Sequence, residues 1–530
     1  MASTLRGWFS VLAVAAASLL SACAVPTAVT AESELQPNEG LVALRVIDAG
    51  EVPIQRFTVV ADGTGQEFPL RAMRFGQDTT MTYVGRLPAG RYRPGTLTGS
   101  VQFNGLRSMG RTVPLDKLTG KFDVEPRRVT DLGTMVFTDV DDKRSDERTS
   151  RTSFGVETTW ARSFELLLDP MPVATDALVK ARFPLLAKAV DGKSALNWVP
   201  GTVPRSSPRK VDVARQRTAL YGHRAFLRGG DMLWGGQLGV ISRFPPGSSV
   251  GQRVTTNTLH AIVAVVELKD GRWLAGGEEG YLAVSADAGA TWRQLPSLGS
   301  EAVVIHLSQA PDGRLFMVAD FDREALVYAA SPEGLDWQVI RRLPSSREQG
   351  ALMPEVGAAA PFLFDYAAAS LDKLVVFTRP ARLNVLDLSS GQWETHEAPG
   401  AFIRTIKLTP DGYLVGMVAP MAVYGSLDHG KTWTKLEGWA NTTQPHFFDR
   451  QRGVIASATV GLAGLGPAKV RFTQDGGKTW QDGPGVPPPY GTWPWPWLQP
   501  LWSDPAGTTL YWLKDAKYLA VSQDEGKNWR

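Results

Sequence analysis

The sequence predicts an all-β protein in two parts, a small N-terminal β-sandwich followed by a larger ring of repeated sheets. Three observations carry that prediction. Short apolar runs alternate with polar residues, turn formers are abundant (53 Gly and 36 Pro in 530 residues), and one eight-residue turn pattern recurs through the second half of the chain.

The N-terminus is read first because it is excluded from the fold. Met1 and Arg6 precede an apolar run from Trp8 to Leu20, and Leu20-Ser21-Ala22-Cys23 follows. A short cationic region, an apolar run too short to span a bilayer and a small-residue cleavage site make residues 1–22 a secretory signal. The stretch ending in Cys23 resembles the bacterial lipobox, and Cys23 is the only cysteine in the chain. With no second thiol for an internal disulfide, the resemblance implies a diacylglycerol attached at Cys23, cleavage before it and a membrane partner through that anchor. Ala24 rather than Asp follows, which in Gram-negative lipoproteins resembles an outer-membrane address, facing periplasm or surface. Residues 23–40 are small, polar and aperiodic, and are expected to be a flexible tether.

Residues 41–138 are expected to form the sandwich. Leu41 to Ile47, Phe57 to Val60, Met81 to Leu87 and Phe122 to Phe137 are alternating runs divided by turn residues such as Asp62-Gly63 and Ala89-Gly90, and the last run breaks at Pro126. The phrases from Tyr83 to Tyr92 and from Val129 to Gly133 resemble accessory sandwich domains of other envelope proteins. Residues 139–193 are expected to be a charged linker with a short helix. Asp139 to Ser153 has almost no apolar residue, and Thr175 to Val190 has helical spacing interrupted at Pro184.

Residues 194–530 carry the repeats. Ser285-Ala-Asp287-Ala-Gly289-Ala-Thr291-Trp292 is matched by Ser426-Leu-Asp428-His-Gly430-Lys-Thr432-Trp433, Thr473-Gln-Asp475-Gly-Gly477-Lys-Thr479-Trp480 and Ser522-Gln-Asp524-Glu-Gly526-Lys-Asn528-Trp529. The aspartates stand 141, 47 and 49 residues apart, and 141 is three times 47, so two degenerate copies are expected between the first two. They are Ser331 to Trp337 and Leu388 to Trp393. With an earlier unit lacking the turn, Met232 to Gly236 then Leu238 to Ser242, the count is seven, and a period of this length with several strands per unit predicts a seven-bladed β-propeller.

This pattern resembles the bacterial neuraminidase repeat, or Asp-box, found in sialidase-like, sortilin-like and photosystem-assembly-factor-like propellers. In each box the aspartate is expected to accept hydrogen bonds across a tight turn, the glycine to take a φ other residues resist, and the tryptophan to plug the gap between strands. Those roles are structural. The sequence stops just after Trp529, so the last blade is expected to borrow a strand, for which Leu196-Asn197-Trp198-Val199-Pro200 is the candidate.

A net charge of +3, from 56 basic and 53 acidic residues, gives no stripe for nucleic acid. The six histidines show no metal-ligand spacing, and neither a phosphate-binding glycine loop nor a Gly-x-Ser-x-Gly elbow is present, so no cofactor, metal or nucleic-acid partner is expected. Sialidases resembling these repeats use an arginine triad, and Arg243-Phe244-Pro245 stands where their Arg-Ile-Pro would, although Arg182-Phe183-Pro184 has the same form. Glu278-Glu279 and Asp320 with Asp322 are candidate carboxylate pairs. Tyr490, Trp493, Trp495 and Trp497, stiffened by intervening prolines, are a candidate binding platform. The reading these observations favour is a non-catalytic envelope protein that binds a protein or glycan at a propeller face. The alternative is a sialidase-like glycoside hydrolase.

Overall fold

The structure is a computed structural model and describes residues 29, 33–49, 54, 56–74, 80–103, 107–115, 119–139, 146–152, 155–161, 164–169, 183–190, 195–202, 208–216, 218, 220–299, 301–321, 323–345, 367–379, 381–400, 403–418, 422–436, 445–461, 464–485, 501–513 and 519–530. Cys23, the signal segment, Tyr490, Trp493, Trp495 and Trp497 lie outside the described residues.

The N-terminal strands are β1 (Glu39–Ala49), β2 (Arg56–Ala61), β3 (Glu67–Arg74), β4 (Thr80–Pro88), β5 (Gly90–Phe103), β6 (Arg107–Pro114), β7 (Phe122–Val124) and β8 (Val129–Asp139). Rather than two separate sheets, they belong to one hydrogen-bonded path that wraps a single core. β1 lies at its centre, antiparallel to β4 and parallel to β8. Its period-two pattern explains why: Val42, Leu44 and Val46 enter the wrapped core with Phe57, Tyr83 and Phe137, while Leu41, Ala43 and Ile47 face outward and are also buried. Two short helices cover that outer face, α1 (Pro184–Ala189) and α2 (Pro208–Gln216).

Three expectations need correction here. Val29 and Leu35, placed in the flexible tether, pack against Leu41, Ala43 and α1, because an apolar strand face left bare would otherwise stay wet. The charged linker contains a hairpin, β9 (Asp146–Thr152) with β10 (Gly155–Ala161), and a strand, β11 (Phe164–Asp169), that joins the sheet beside β8. Backbone pairing with β10 orders the charged stretch whose poor local burial suggested a linker, and β8 orders β11. Pro184 starts α1 instead of interrupting it, since the N–H it lacks has no partner in a first turn.

Among the described residues seven antiparallel sheets follow, spanning 220–255, 262–294, 303–344, 367–397, 403–435, 446–482 and 501–522, each a meander in sequence order. Every sheet shares a core with the next: Ile241 with Ile262, Leu274 with Met317, Val318 with Val376, Leu383 with Leu414, Leu436 with Phe447, and Val470 with Trp512. The first also packs on the last, where the Trp234 and Trp502 rings meet edge to face at 5.1 Å. Seven sheets closed head to tail form a β-propeller. The first strands of neighbouring blades lie against one another around the axis, and the fourth strands are exposed at the rim.

The predicted borrowed strand is not used. β12 (Ala195–Leu196) pairs with β8, and Trp198 packs edge to face on Phe122 while its Nε1 donates to Leu132 O at 3.2 Å, so this segment completes the N-terminal core. The seventh blade is completed locally, by Arg530 beside Val521. An amphipathic tryptophan gains more from an aromatic core with a carbonyl acceptor than from an edge strand.

Candidate functional site

A four-stranded meander places its 1–2 and 3–4 turns at one end and its 2–3 turn and exit at the other, which gives the ring two unlike faces. All four boxes fall on 3–4 turns and therefore on one face. Their geometries superpose residue for residue. Asp287 Oδ1 accepts from Thr291 N at 2.8 Å and Oδ2 from Thr291 Oγ1 at 2.6 Å; Asp428 does the same with Thr432, Asp475 with Thr479, and Asp524 with Asn528. Ser285, Ser426, Thr473 and Ser522 each donate to the aspartate and accept the box glycine's N–H. The indoles of Trp292, Trp480 and Trp529 donate to the carbonyl of that glycine. Gly430 (φ 94°) is required twice over, for its backbone conformation and because a Cβ would overlap Leu383 of the preceding blade.

Hydrogen bonds from Thr291 and Ser285 hold the Asp287 carboxyl down to about 2, and the Asn528 bonds do the same at Asp524. At Asp428 partial burial opposes the shift, but the Thr432 and Ser426 bonds outweigh it. The fourth blade lacks a box aspartate at the aligned position. There Asp387, one residue before the degenerate copy, accepts from Ser389 and Ser390 and pairs with Lys373, which drives its carboxyl far below the usual range.

Basic side chains from the 1–2 turns of the same face tie blades together. Arg228 donates to Lys269 O at 2.6 Å, Lys269 to Pro311 O, Arg272 to Pro332 O at 2.5 Å, Arg314 to Leu388 O, and Arg450 to Asp411 O at 2.7 Å. Arg530 reaches Gly247 O of the first blade at 3.1 Å. The polar groups of this face are thus largely engaged in holding the ring together.

The opposite face carries the N-terminal domain. Arg45, buried on the outer side of β1, pairs with Glu279 in the 2–3 turn of the second blade, and His260 Nε2 lies 3.2 Å from the other Glu279 oxygen. Glu279 sits at φ 55°, a conformation disfavoured for a side-chain-bearing residue and held here by its two partners. The fully buried Glu278 accepts the Ala261 N–H at 3.2 Å. Arg215 of α2 donates to Leu238 O and Thr258 O at 3.1 and 3.0 Å, and Ile47, Val136, Ala214 and Leu238 form an apolar plug beside it.

Inside the ring, the first strands of blades five, six, seven and one bring Lys407, His446, Ser503 and Arg224 together. His446 Nε2 lies 3.2 Å from Ser503 Oγ, and the Arg224 guanidinium lies 4.1 Å from the centroid of the Trp502 ring. Deep enclosure pushes the His446 imidazole down to about 3, and the charges of Arg224 and Lys407 add to that shift. His446 nevertheless keeps accessible surface, as do Arg224 and Lys407, which is how side chains lining an internal channel behave.

Several candidates take structural parts. Arg243 is tied to Asp231 at 2.5 Å and leans on Trp273, away from the axis. Glu279 serves the junction between domains, Glu278 is buried within blade two against the Ala261 N–H, Asp320 is buried at a strand end, and Arg182 and Asp322 lie outside the described residues. Among the described residues no three or more of His, Cys, Asp and Glu group to hold a metal, and no helix is long and apolar enough to cross a membrane. Sequence reasoning missed Arg45, although a lone charge in the apolar run from Leu41 to Ile47 was its signal. It also missed Arg224 and Lys407, which have no motif.

No protein-family profile matches the chain, and no curated protein matches it. Among solved structures it is similar to YCF48 bound to a D1 peptide (15% identity, 50% of this chain and 80% of that one, TM-score 0.37). It is similar also to YCF48 from Cyanidioschyzon merolae (13%, 57% and 95%, 0.39). A third is the β-propeller domain of Cps50 (Swd1) from Myceliophthora thermophila (12%, 58% and 97%, 0.38). At these identities and scores the likeness concerns the propeller alone, which the sheets already establish.

Proposed function

We propose that this protein is a non-catalytic binding or assembly module of the bacterial cell envelope, anchored through Cys23, whose ligand-binding surface is the propeller face opposite the boxes. The ligand is a protein or a glycan. The observation that carries this reading is the unlike chemistry of the two faces. One is consumed by boxes and cross-blade ties, whereas the other is shared with a second domain docked through Arg45, Glu279 and Arg215, giving a composite surface.

The engagement of Arg243 with Asp231 and of Glu279 with Arg45 leaves these residues in supporting parts and favours binding over sialidase chemistry. The test uses photo-crosslinking side chains at Ser297 or Arg323 on one face and at Lys478 or Lys527 on the other, in cells of a Gram-negative host. Defined crosslinked species from the first pair alone support the reading; the same species from both pairs, or from the second alone, overturn it. Cleavage of a methylumbelliferyl glycoside by the purified chain would favour the hydrolase instead. Retention of Cys23→Ser in the membrane fraction would remove the anchor from the proposal.

A further inference from the structure

The rim of the propeller is not uniform. Fourth strands of two residues close blades two, five and six, at Arg293–Gln294, Thr434–Lys435 and Gln481–Asp482, whereas blade three ends in a seven-residue strand, Gln338–Pro344. It is the outermost strand of its sheet, and among the described residues no strand pairs with its far side. Gln338 to Arg342 are all exposed, and Val339 and Ile340 each keep 41% of their surface in solvent. An outermost strand of this length presents backbone N–H and C=O groups to which an extended chain can add.

The side chains decide what can add. Two apolar residues, Val339 and Ile340, are followed by two cations, Arg341 and Arg342, and the exposed Arg323 stands at the strand's end, where its carbonyl accepts the Ser345 N–H. The neighbouring strand, Glu324–Ala330, has one acid, Glu324, which pairs with Arg342 at 3.0 Å between side chains open to water and so offsets its charge only weakly. Arg341 lies 5.6 Å from the centroid of the Trp393 ring on blade four, a contact that leaves its N–H edge for a carboxylate. On that blade's rim strand Glu394 is bound by Lys431 at 2.9 Å, and Glu397 stands opposite Arg382. Joining two copies of this chain through the strand would set one arginine pair against the other, and like charges on adjacent strands oppose pairing. The register with the neighbouring strand shifts at Ile340, a bulge that limits what adds here to a short segment.

We infer that the outer edge of Gln338–Pro344 is a docking strand for a short, extended, acidic segment of a partner protein. The segment adds by backbone pairing, places carboxylates against Arg341 and Arg342, and covers Val339 and Ile340 with apolar residues of its own. This surface is on the rim, separate from the face proposed above.

Fluorescence anisotropy of the full chain with the labelled peptide Thr-Glu-Glu-Val-Val-Thr at low salt tests this. Saturable binding is expected, with about tenfold weaker binding of Thr-Lys-Lys-Val-Val-Thr. Arg341→Glu combined with Arg342→Glu should reverse that preference. The acidic peptide methylated at its backbone nitrogens should bind about tenfold more weakly, a loss that a purely ionic contact would not show. Arg342→Gln alone, at an exposed site, keeps the test meaningful should the double variant fold poorly, and should weaken the acidic peptide about threefold. Equal binding of the two peptides, binding unchanged by methylation, or an unchanged preference in the double variant overturns the inference. Sedimentation and hydrogen exchange of the free chain test the other occupants. A dimer that dissociates in the double variant assigns the strand to a second copy, and slow exchange all along Gln338–Pro344 shows an edge already covered; either result overturns the inference. Failure here leaves the crosslinking test of the face opposite the boxes unaffected.

Discussion

Arg530 and Val521 exchange backbone hydrogen bonds in both directions, Arg530 N to Val521 O at 3.0 Å and Val521 N to Arg530 O at 2.9 Å. This one rung stands where the other six blades have a fourth strand, and the Arg530 side chain extends from it to Gly247 of the first blade. A chain ending at Lys527 should therefore loosen the closure between blades seven and one. Hydrogen exchange should accelerate at Leu519–Ser522 and Met232–Gly236 before it does in blades three and four, and equal rates in all blades would show that Arg530 is not part of the closure.

The box carboxylates make stability depend on acid. Their folded pKa values lie near 2 against an ordinary 3.8. A depressed carboxyl stabilises the fold above its unfolded pKa, and that contribution is lost as pH falls through the folded value. The box contribution to the urea midpoint should hold steady from neutral pH to about pH 4 and then fall between about pH 4 and pH 2, on top of the decline below about pH 6.5 that the depressed His446 imidazole brings. Asp428→Asn should flatten that fall, and at neutral pH should cost about 1 kcal/mol, since the site is largely exposed and its bonds compete with water.

Gly430→Ala should be worse than an ordinary surface substitution. The left-handed φ of 94° and overlap with Leu383 act together, so a loss of about 2–3 kcal/mol is expected from chemical denaturation. Gly313→Ala, also at positive φ but with no atom near its Cβ, provides the comparison and should lose about 1 kcal/mol.

The pairing of Arg45 with Glu279 joins two domains through a buried arginine and a half-buried carboxylate. Arg45→Met leaves the Glu279 carboxylate half-paired in a strained turn, and should cost about 3 kcal/mol of docking. Calorimetry should then resolve two unfolding transitions where the parent chain shows more overlap, with faster exchange at Ile47 and Leu238. An unchanged thermogram would mean that the apolar plug and Arg215 suffice.

The boxes were legible because each is a closed circuit within eight residues. Asp287 finds Thr291 and Ser285 from spacing alone, and the same spacing written four times implies the same turn four times. Seven units could be counted for the same reason, even where Asp387 replaces the aligned aspartate. The all-β class, the ring and the positions of the turns were thus determined by the sequence itself. The tertiary structure decided what has no local circuit. Trp198 was assigned to the last blade by its resemblance to Trp529, yet it packs on Phe122, 76 positions earlier. Arg45 meets Glu279 across more than two hundred residues, and Arg224 shares a channel wall with His446 only because the first and seventh sheets close on each other. Hydrogen bonds within a turn are encoded by spacing, whereas contacts between distant segments exist only after burial has brought those segments together.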